Sequence, residues 1–253
     1  FTANGPVTLS GVVDGFERIL LGGNALTVTG TLANDGVIDF GAGDQQISIA
    51  GSGILFGQTD LGDGNDLLRI AAGARLSGSI AGGNGVDTVA LTLAGNRSGI
   101  GQLTGFERLS LDGDGVLGLA LTQSFETVSL AGVGLNLAMG GFTVGAVNGT
   151  GAVESVATDG DLTNVALGGG DDLLMLGAAR AAGVYAGGTG LDSLMFTATT
   201  PVTLAGVVTG FEQIALAGGS LTVAGSLGGT GETIAFADGN KLLAIAAGGR
   251  VTG

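Results

Sequence analysis

The chain of 253 residues carries 54 glycines, two prolines, no histidine, no cysteine and a formal net charge of -14. That charge excludes a nucleic-acid or anionic-membrane surface, both of which need basic residues, and the missing residue types exclude imidazole bases, thiol nucleophiles and His or thiolate metal centres. Hydrophobic residues make up 45% and mean hydropathy is +0.54, which is too apolar for a disordered chain, and glycine shows no three-residue period that would make a collagen.

The first segment, "FTANGPVTLSGVVDGFERI" at 1–19, returns as "FTATTPVTLAGVVTGFEQI" at 196–214, an offset of 195 residues. The expected organisation is therefore one continuous solenoid over 1–253, with 1–195 as one long repeat and 196–253 as the start of a second copy. No charged leader or start Met precedes Phe1, so the chain reads as a piece of something longer, and no apolar run is long enough for a membrane span. Residues 18–65 fit no clear register and are expected to hold a bulged loop.

From residue 61 onward a period emerges. An acidic residue, any residue, then Leu, Ile or Val occurs at Asp66, Asp87, Glu107, Glu126, Glu154, Asp172, Asp192, Glu212 and Glu232, at intervals of 21, 20, 19, 28, 18, 20, 20 and 20. Short alternating runs such as "DTVALTL" (87–93) and "ERLSLDG" (107–113) read as strands, and glycine-rich turns separate them. A period near 20 with such strands predicts an all-β fold, a parallel β-solenoid (β-helix or β-roll) whose coils stack into an elongated rod. The 28-residue interval between Glu126 and Glu154 breaks the period, and a second bulged loop is expected over 127–153.

Stacking raises a physical problem. Parallel coils lie about 4.8 Å apart, and carboxylates about 5 Å apart repel by roughly 3 kcal/mol at an effective dielectric near 20. A column of Asp66, Asp87, Glu107 and Glu126 therefore needs a cation, a proton or hydrogen-bond donors. Carboxylates together with turn carbonyls would suit a hard cation that takes six to eight oxygens.

"GGNGVDTVA" (82–90) and "GGTGLDSLM" (187–195) match the G-G-x-G-x-D-x-U-x nonapeptide, and "LGDGNDLLR" (61–69) and "LGGGDDLLM" (167–175) match it except at the first glycine. On these four segments the chain resembles the RTX (hemolysin-type) calcium-binding β-roll family. The resemblance implies calcium held between turns by Asp66 with Asp87 and by Asp172 with Asp192. It implies further ligands from the carbonyls of Gly62, Gly64, Gly83 and Gly85, and of Gly169, Asp171, Gly188 and Gly190. The family usually repeats the nonapeptide without pause, whereas here it covers only about 36 residues.

Competing readings remain at each feature. The Gly-Asp turns could be solvated corners in which Asp accepts backbone N–H groups. The "FE" segments place Phe16, Phe106, Phe125 and Phe211 in the interior with Glu capping a turn, and leave Arg18 and Arg108 as surface partners. Acid–base pairs such as Asp159 with Asp161 or Asp112 with Asp114 could support a glycosidase, but one Tyr and no Trp leave no stacking platform for sugar. Thr runs at 27–29 and 197–199 do not recur at coil spacing, so no ice-ordering array is expected. The expected role is non-enzymatic: a calcium-stabilised structural or adhesive segment of a secreted bacterial surface protein, with calcium and neighbouring copies as partners. An autotransporter passenger, or the export module of a secreted enzyme, stands as the alternative.

Overall fold

A computed structural model describes residues 2–23, 25–228, 233–236 and 241–252; Glu232 lies outside them. The fold is all-β and parallel, making a β-solenoid of about 12 turns of roughly 20 residues. No described segment forms a helix long and apolar enough to cross a membrane. Two compact units divide the chain, residues 1–115 with 122–126 and residues 116–121 with 127–253.

In the first unit one set of parallel strands runs through Val7–Leu9, Ala25–Val28, Gln46–Ile49, Leu67–Ile70, Thr88–Ala94 and Arg108–Asp114. A second set joins Thr31–Phe40, Ile54–Asp63, Arg75–Asn84 and Gln102–Thr104. Strand residues alternate inward and outward, as the two-residue period requires. Leu26, Ile47, Leu68, Val89 and Leu109 stack directly in register along the interior and are buried. Burying one such side chain contributes roughly 1.5–3 kcal/mol, so a narrow aliphatic interior suffices without tryptophan.

The bulge expected in 18–65 is a register shift between Ala33 and Val37 in the pairing of Thr31–Phe40 with Ile54–Asp63. It coincides with a change of corner. Val37 donates its N–H to the Glu17 carbonyl (3.2 Å), so Glu17 lies beside Gly36, whereas Gln45, 28 residues after Glu17, donates its N–H to the Asp66 carboxylate one coil on. Within this unit the acid position thus moves forward along the coil by one face.

The second unit carries three sets of parallel strands. One includes Val144–Asn148, Asn164–Gly169, Val184–Thr189, Val207–Thr209, Ser226–Gly228 and Arg250–Thr252. Another runs from Val116–Ala120 through Gly134–Ala138, Ser155–Thr158, Leu173–Leu176, Ser193–Phe196 and Gln213–Leu216 to Thr233–Phe236. The third comprises Arg180–Ala181, Val202–Leu204, Ser220–Val223 and Leu242–Ile245. Residues 127–153, expected to bulge, instead contain the ordinary strands Gly134–Ala138 and Val144–Asn148.

The 195-residue repeat is visible in the strand bounds. Val7–Leu9, Val12–Asp14, Arg18–Leu21 and Ala25–Val28 reappear as Val202–Leu204, Val207–Thr209, Gln213–Leu216 and Ser220–Val223. Burial is less uniform than the sequence suggests: Phe106, Phe125 and Phe211 are buried, but Phe16 is 41% exposed. Its phenyl ring was expected inside.

Candidate functional site: two buried acidic ladders

The four aspartates singled out by the nonapeptides, Asp66, Asp87, Asp172 and Asp192, are all buried. Each lies immediately before a strand, just after a glycine turn, and is tied to the adjoining coil through the main chain. Thr88 donates its N–H to the Asp66 carbonyl and Ser193 to the Asp172 carbonyl, both at 2.8 Å.

The carboxylates are satisfied across coils. Oδ1 of Asp66 accepts the Gln45 N–H, Oδ1 of Asp87 accepts the Asp66 N–H, and Glu107 Oε2 accepts the Asp87 N–H, each at 2.7 Å. In the second unit Asp172 Oδ1 accepts the Glu154 N–H (2.7 Å), Asp192 Oδ1 the Asp172 N–H (2.9 Å) and Glu212 Oε2 the Asp192 N–H (2.7 Å). Each of these carboxylates therefore reaches back one coil and caps a backbone amide there, that of the preceding acid in every case but Asp66, which caps Gln45. Such charge-assisted bonds are about twice as strong as neutral ones, and they stand where repulsion was expected.

Five of the buried acids leave one oxygen over. Oδ2 of Asp66, Asp87, Asp172 and Asp192 and Oε2 of Glu154 are buried without a hydrogen-bond partner. A buried charged oxygen in that state is expensive, and the ionisation responds. Burial pushes all four aspartates above the ordinary carboxylate pKa of 3.8, against the N–H bond from the preceding coil, which pulls down. Asp172, with Glu154 on one side and Asp192 on the other, is pushed up to about 6.

The turn glycines serve close stacking. Gly83 (φ +112) and Gly85 (φ +142) have left-handed backbones, and a Cβ on either would overlap the carbonyl oxygen of Gly62 or Gly64 respectively. In the second unit a Cβ on Gly188 or Gly190 would overlap the carbonyl of Gly168 or Gly170. Gly169 donates its N–H to the Thr150 carbonyl at 2.7 Å. These carbonyls project along the stack toward the next coil.

The two imperfect nonapeptides have a packing reason. Leu61 and Leu167 are buried in the interior. Between the pairs Ala81↔Asp60 and Gly83↔Gly62, Gly82 falls opposite Leu61, and between Ala166↔Ala186 and Gly168↔Gly188, Gly187 falls opposite Leu167. A Cβ on Gly82 would collide with the Gly105 carbonyl and crowd the Asp87 carboxylate; one on Gly187 would meet the Gly210 carbonyl and Asp192. A leucine in one coil is thus matched by a glycine in the next.

An outer ladder escaped the sequence reading. Asp44 Oδ1 accepts the Asn65 N–H (2.8 Å), Asn65 Oδ1 the Val86 N–H (3.0 Å) and Asp171 Oδ1 the Leu191 N–H (2.9 Å). Asp171 is exposed, and its side chain is engaged here. The doublets Asp44-Gln45, Asn65-Asp66 and Asp171-Asp172 were the available signal. Glu154, singled out in the sequence only as a member of the acidic period, is fully buried; its Oε1 accepts the Gly132 N–H (3.0 Å) and the Thr150 hydroxyl (2.7 Å).

Elsewhere, the carboxylates weighed for acid–base work are tied up or outward-facing. Asp161 accepts the Leu162 N–H and the Tyr185 hydroxyl on Oδ1 and the Ala182 N–H on Oδ2. Asp159 Oδ1 accepts the Met139 N–H (2.8 Å), and Asp112 and Asp114 are exposed. Arg18 pairs with Asp39.

A hard cation would find an all-oxygen donor set at the ladders. The orphaned Oδ2 atoms fit such an ion, but among the described residues no three acidic side chains converge on one point, so main-chain carbonyls would have to supply most of the shell. No family model, no curated protein and no solved structure matches this chain. The resemblance to the RTX family rests on the four nonapeptides.

Proposed function

We propose that the chain is a structural or adhesive β-solenoid segment of a secreted bacterial surface protein, stabilised by calcium at its acidic ladders. One observation carries this reading: four aspartates each keep a buried oxygen that has no hydrogen-bond donor among the described residues. Such an oxygen calls for a proton or a cation, and the net charge of -14 draws cations to the surface.

Asp66 with Asp87, and Asp172 with Asp192, would hold the ion. Carbonyls of Gly62, Gly64, Gly83 and Gly85 would complete the coordination at the Asp66–Asp87 site, and those of Gly169, Asp171, Gly188 and Gly190 that at the Asp172–Asp192 site. When bound, calcium neutralises the rungs and ties one coil to the next. The residues themselves position the oxygens: the N–H bond on each Oδ1 holds the carboxylate in place and leaves Oδ2 buried and without a donor among the described residues. A binding role without catalysis agrees with the absence of His and Cys and with the occupation of Asp161 by main-chain donors.

Thermal unfolding with chelator, with millimolar calcium and with millimolar magnesium tests the reading. At calcium 100-fold above its Kd, one site stabilises the fold by about 2.7 kcal/mol, so the calcium melt should lie well above the chelated one. Magnesium should substitute poorly, because it demands a small octahedral shell. Coincident melts in all three buffers would retire calcium and leave the proton as the partner of the orphaned oxygens.

A further inference from the structure

The two ladders bury different numbers of charges. In the first unit the buried rungs are the neutral Gln45 and the acids Asp66 and Asp87; in the second they are three acids, Glu154, Asp172 and Asp192. Gln45 and Glu154 hold the same place, since each donates its N–H to Oδ1 of the next rung, Gln45 to Asp66 and Glu154 to Asp172, both at 2.7 Å. Each also keeps a buried oxygen without a hydrogen-bond partner, Oε1 of Gln45 and Oε2 of Glu154. One divalent ion would balance Asp66 and Asp87. The same ion between Asp172 and Asp192 would leave the Glu154 charge over, and an uncompensated buried charge is costly.

The surroundings of Glu154 are rich in oxygen. Its Oε1 is committed to the Gly132 N–H and the Thr150 hydroxyl, which leaves Oε2 to coordinate. A Cβ on Gly149 would collide with the Leu167 carbonyl oxygen and stand 2.9 Å from Glu154 Oε2, so both oxygens border the space over that glycine. The Asp172 carboxyl lies within hydrogen-bonding reach of the Glu154 carboxyl, and its Oδ2 likewise has no partner. Burial is the main cause that raises each ladder aspartate, but contact with a neighbouring carboxyl is a further cause only for Asp172. Glu154 therefore has both a second carboxylate and a carbonyl oxygen as neighbours, the donor type that a hard cation takes.

We propose that Glu154 and Asp172, with the Leu167 carbonyl, form a third cation position in this chain, one coil before the Asp172–Asp192 position, and that it takes a hard divalent ion such as calcium. This inference rests on the calcium reading above and extends it to an acid outside the four nonapeptides. Asp172 is then shared by two ions, and Glu154 closes the column. Gly132 and Thr150 act through Oε1 as positioning residues. The first unit, with an amide at the corresponding rung, holds one ion only.

Equilibrium dialysis against radioactive calcium, at physiological ionic strength to suppress diffuse binding to the acidic surface, counts the ions. Three per chain are expected. Glu154→Gln, which keeps an acceptor oxygen for the Gly132 N–H and the Thr150 hydroxyl, should lower the count to two with an unchanged circular-dichroism spectrum. Gln45→Glu, which gives the first unit the same rung, should raise it to four. A count of two in the unaltered chain overturns the proposal and leaves the calcium reading standing, and so does a count of three that survives Glu154→Gln. An unchanged count in Gln45→Glu also overturns it, because a charged rung would then not create the position. No bound calcium in any of the three chains sinks the proposal together with the calcium reading.

Discussion

The acidic ladders of the two units are close to identical in their turns and differ at the first rung. "LGDGNDLLR" and "LGGGDDLLM" place Asp66 and Asp172 alike, but Asp66 receives its N–H bond from the neutral Gln45 and Asp172 from the buried acid Glu154. Asp66 feels mainly burial, with added repulsion from Asp44 and Asp60; Asp172 feels burial plus an acid in each adjoining coil, and its pKa rises to about 6. An aspartate in a stack is therefore tuned by the coils above and below it as well as by its own turn. Sequence similarity between turns does not imply equal ionisation.

The largest test of this comparison removes a rung. Asp192→Ala strips the acceptor from the buried Asp172 N–H, and Asp87→Ala does the same to Asp66. An unsatisfied buried N–H costs about 1–3 kcal/mol, so each variant should lose about that much in calcium-free denaturant unfolding. Asp192→Asn, which keeps the acceptor oxygen, should lose far less. If Ala and Asn variants unfold together, the ladder bonds contribute nothing.

Next in size is the pH dependence. All four aspartates bind a proton more tightly folded than unfolded, because their folded pKa lies above 3.8. Their stabilising contribution is complete below about 3.8 and is lost as pH rises through the folded values, about 6 for Asp172. In calcium-free buffer, melting temperature should fall between pH 5 and pH 7, opposite to ordinary acid denaturation. A melt that rises over this range would mean that the orphaned oxygens are served as anions.

Swapping first rungs sharpens the contrast further. Glu154→Gln should lower the Asp172 pKa toward that of Asp66, and Gln45→Glu should raise Asp66, both followed by carboxyl carbon NMR. If neither moves, burial alone sets the shifts. Smallest of all, Arg18→Ala breaks an exposed ion pair with Asp39 and should cost no more than about 1 kcal/mol in the same unfolding assay.

Much of this fold was legible because glycine turns and alternating aliphatics recur at coil spacing, which is a local property. The column of Asp66, Asp87, Glu107 and Glu126 follows from spacing alone, and successive members are joined by main-chain bonds such as Glu126 N–H to the Glu107 carbonyl (2.8 Å). How the carboxylates are satisfied was not legible, because the donor of each bond lies 18 to 21 residues earlier and is a backbone amide common to every residue type. Phe16 illustrates the same limit. "GFE" reads identically at Phe16 and Phe211, and only the presence of a covering coil separates an exposed ring from a buried one.

Among the described residues every left-handed backbone position is a glycine, so each coil carries its own punctuation. That makes the coil the natural quantum of genetic change in this protein. Duplicating or deleting the 21 residues from Asp66 to just before Asp87 would leave a carboxylate facing an amide at every level. Inserting a single residue in a strand would exchange its inner and outer faces and expose the core. Chains of this type can therefore drift in length by whole coils while remaining intolerant of small insertions within their strands, and the leucine–glycine matching of Leu61 with Gly82 favours copying coils in pairs.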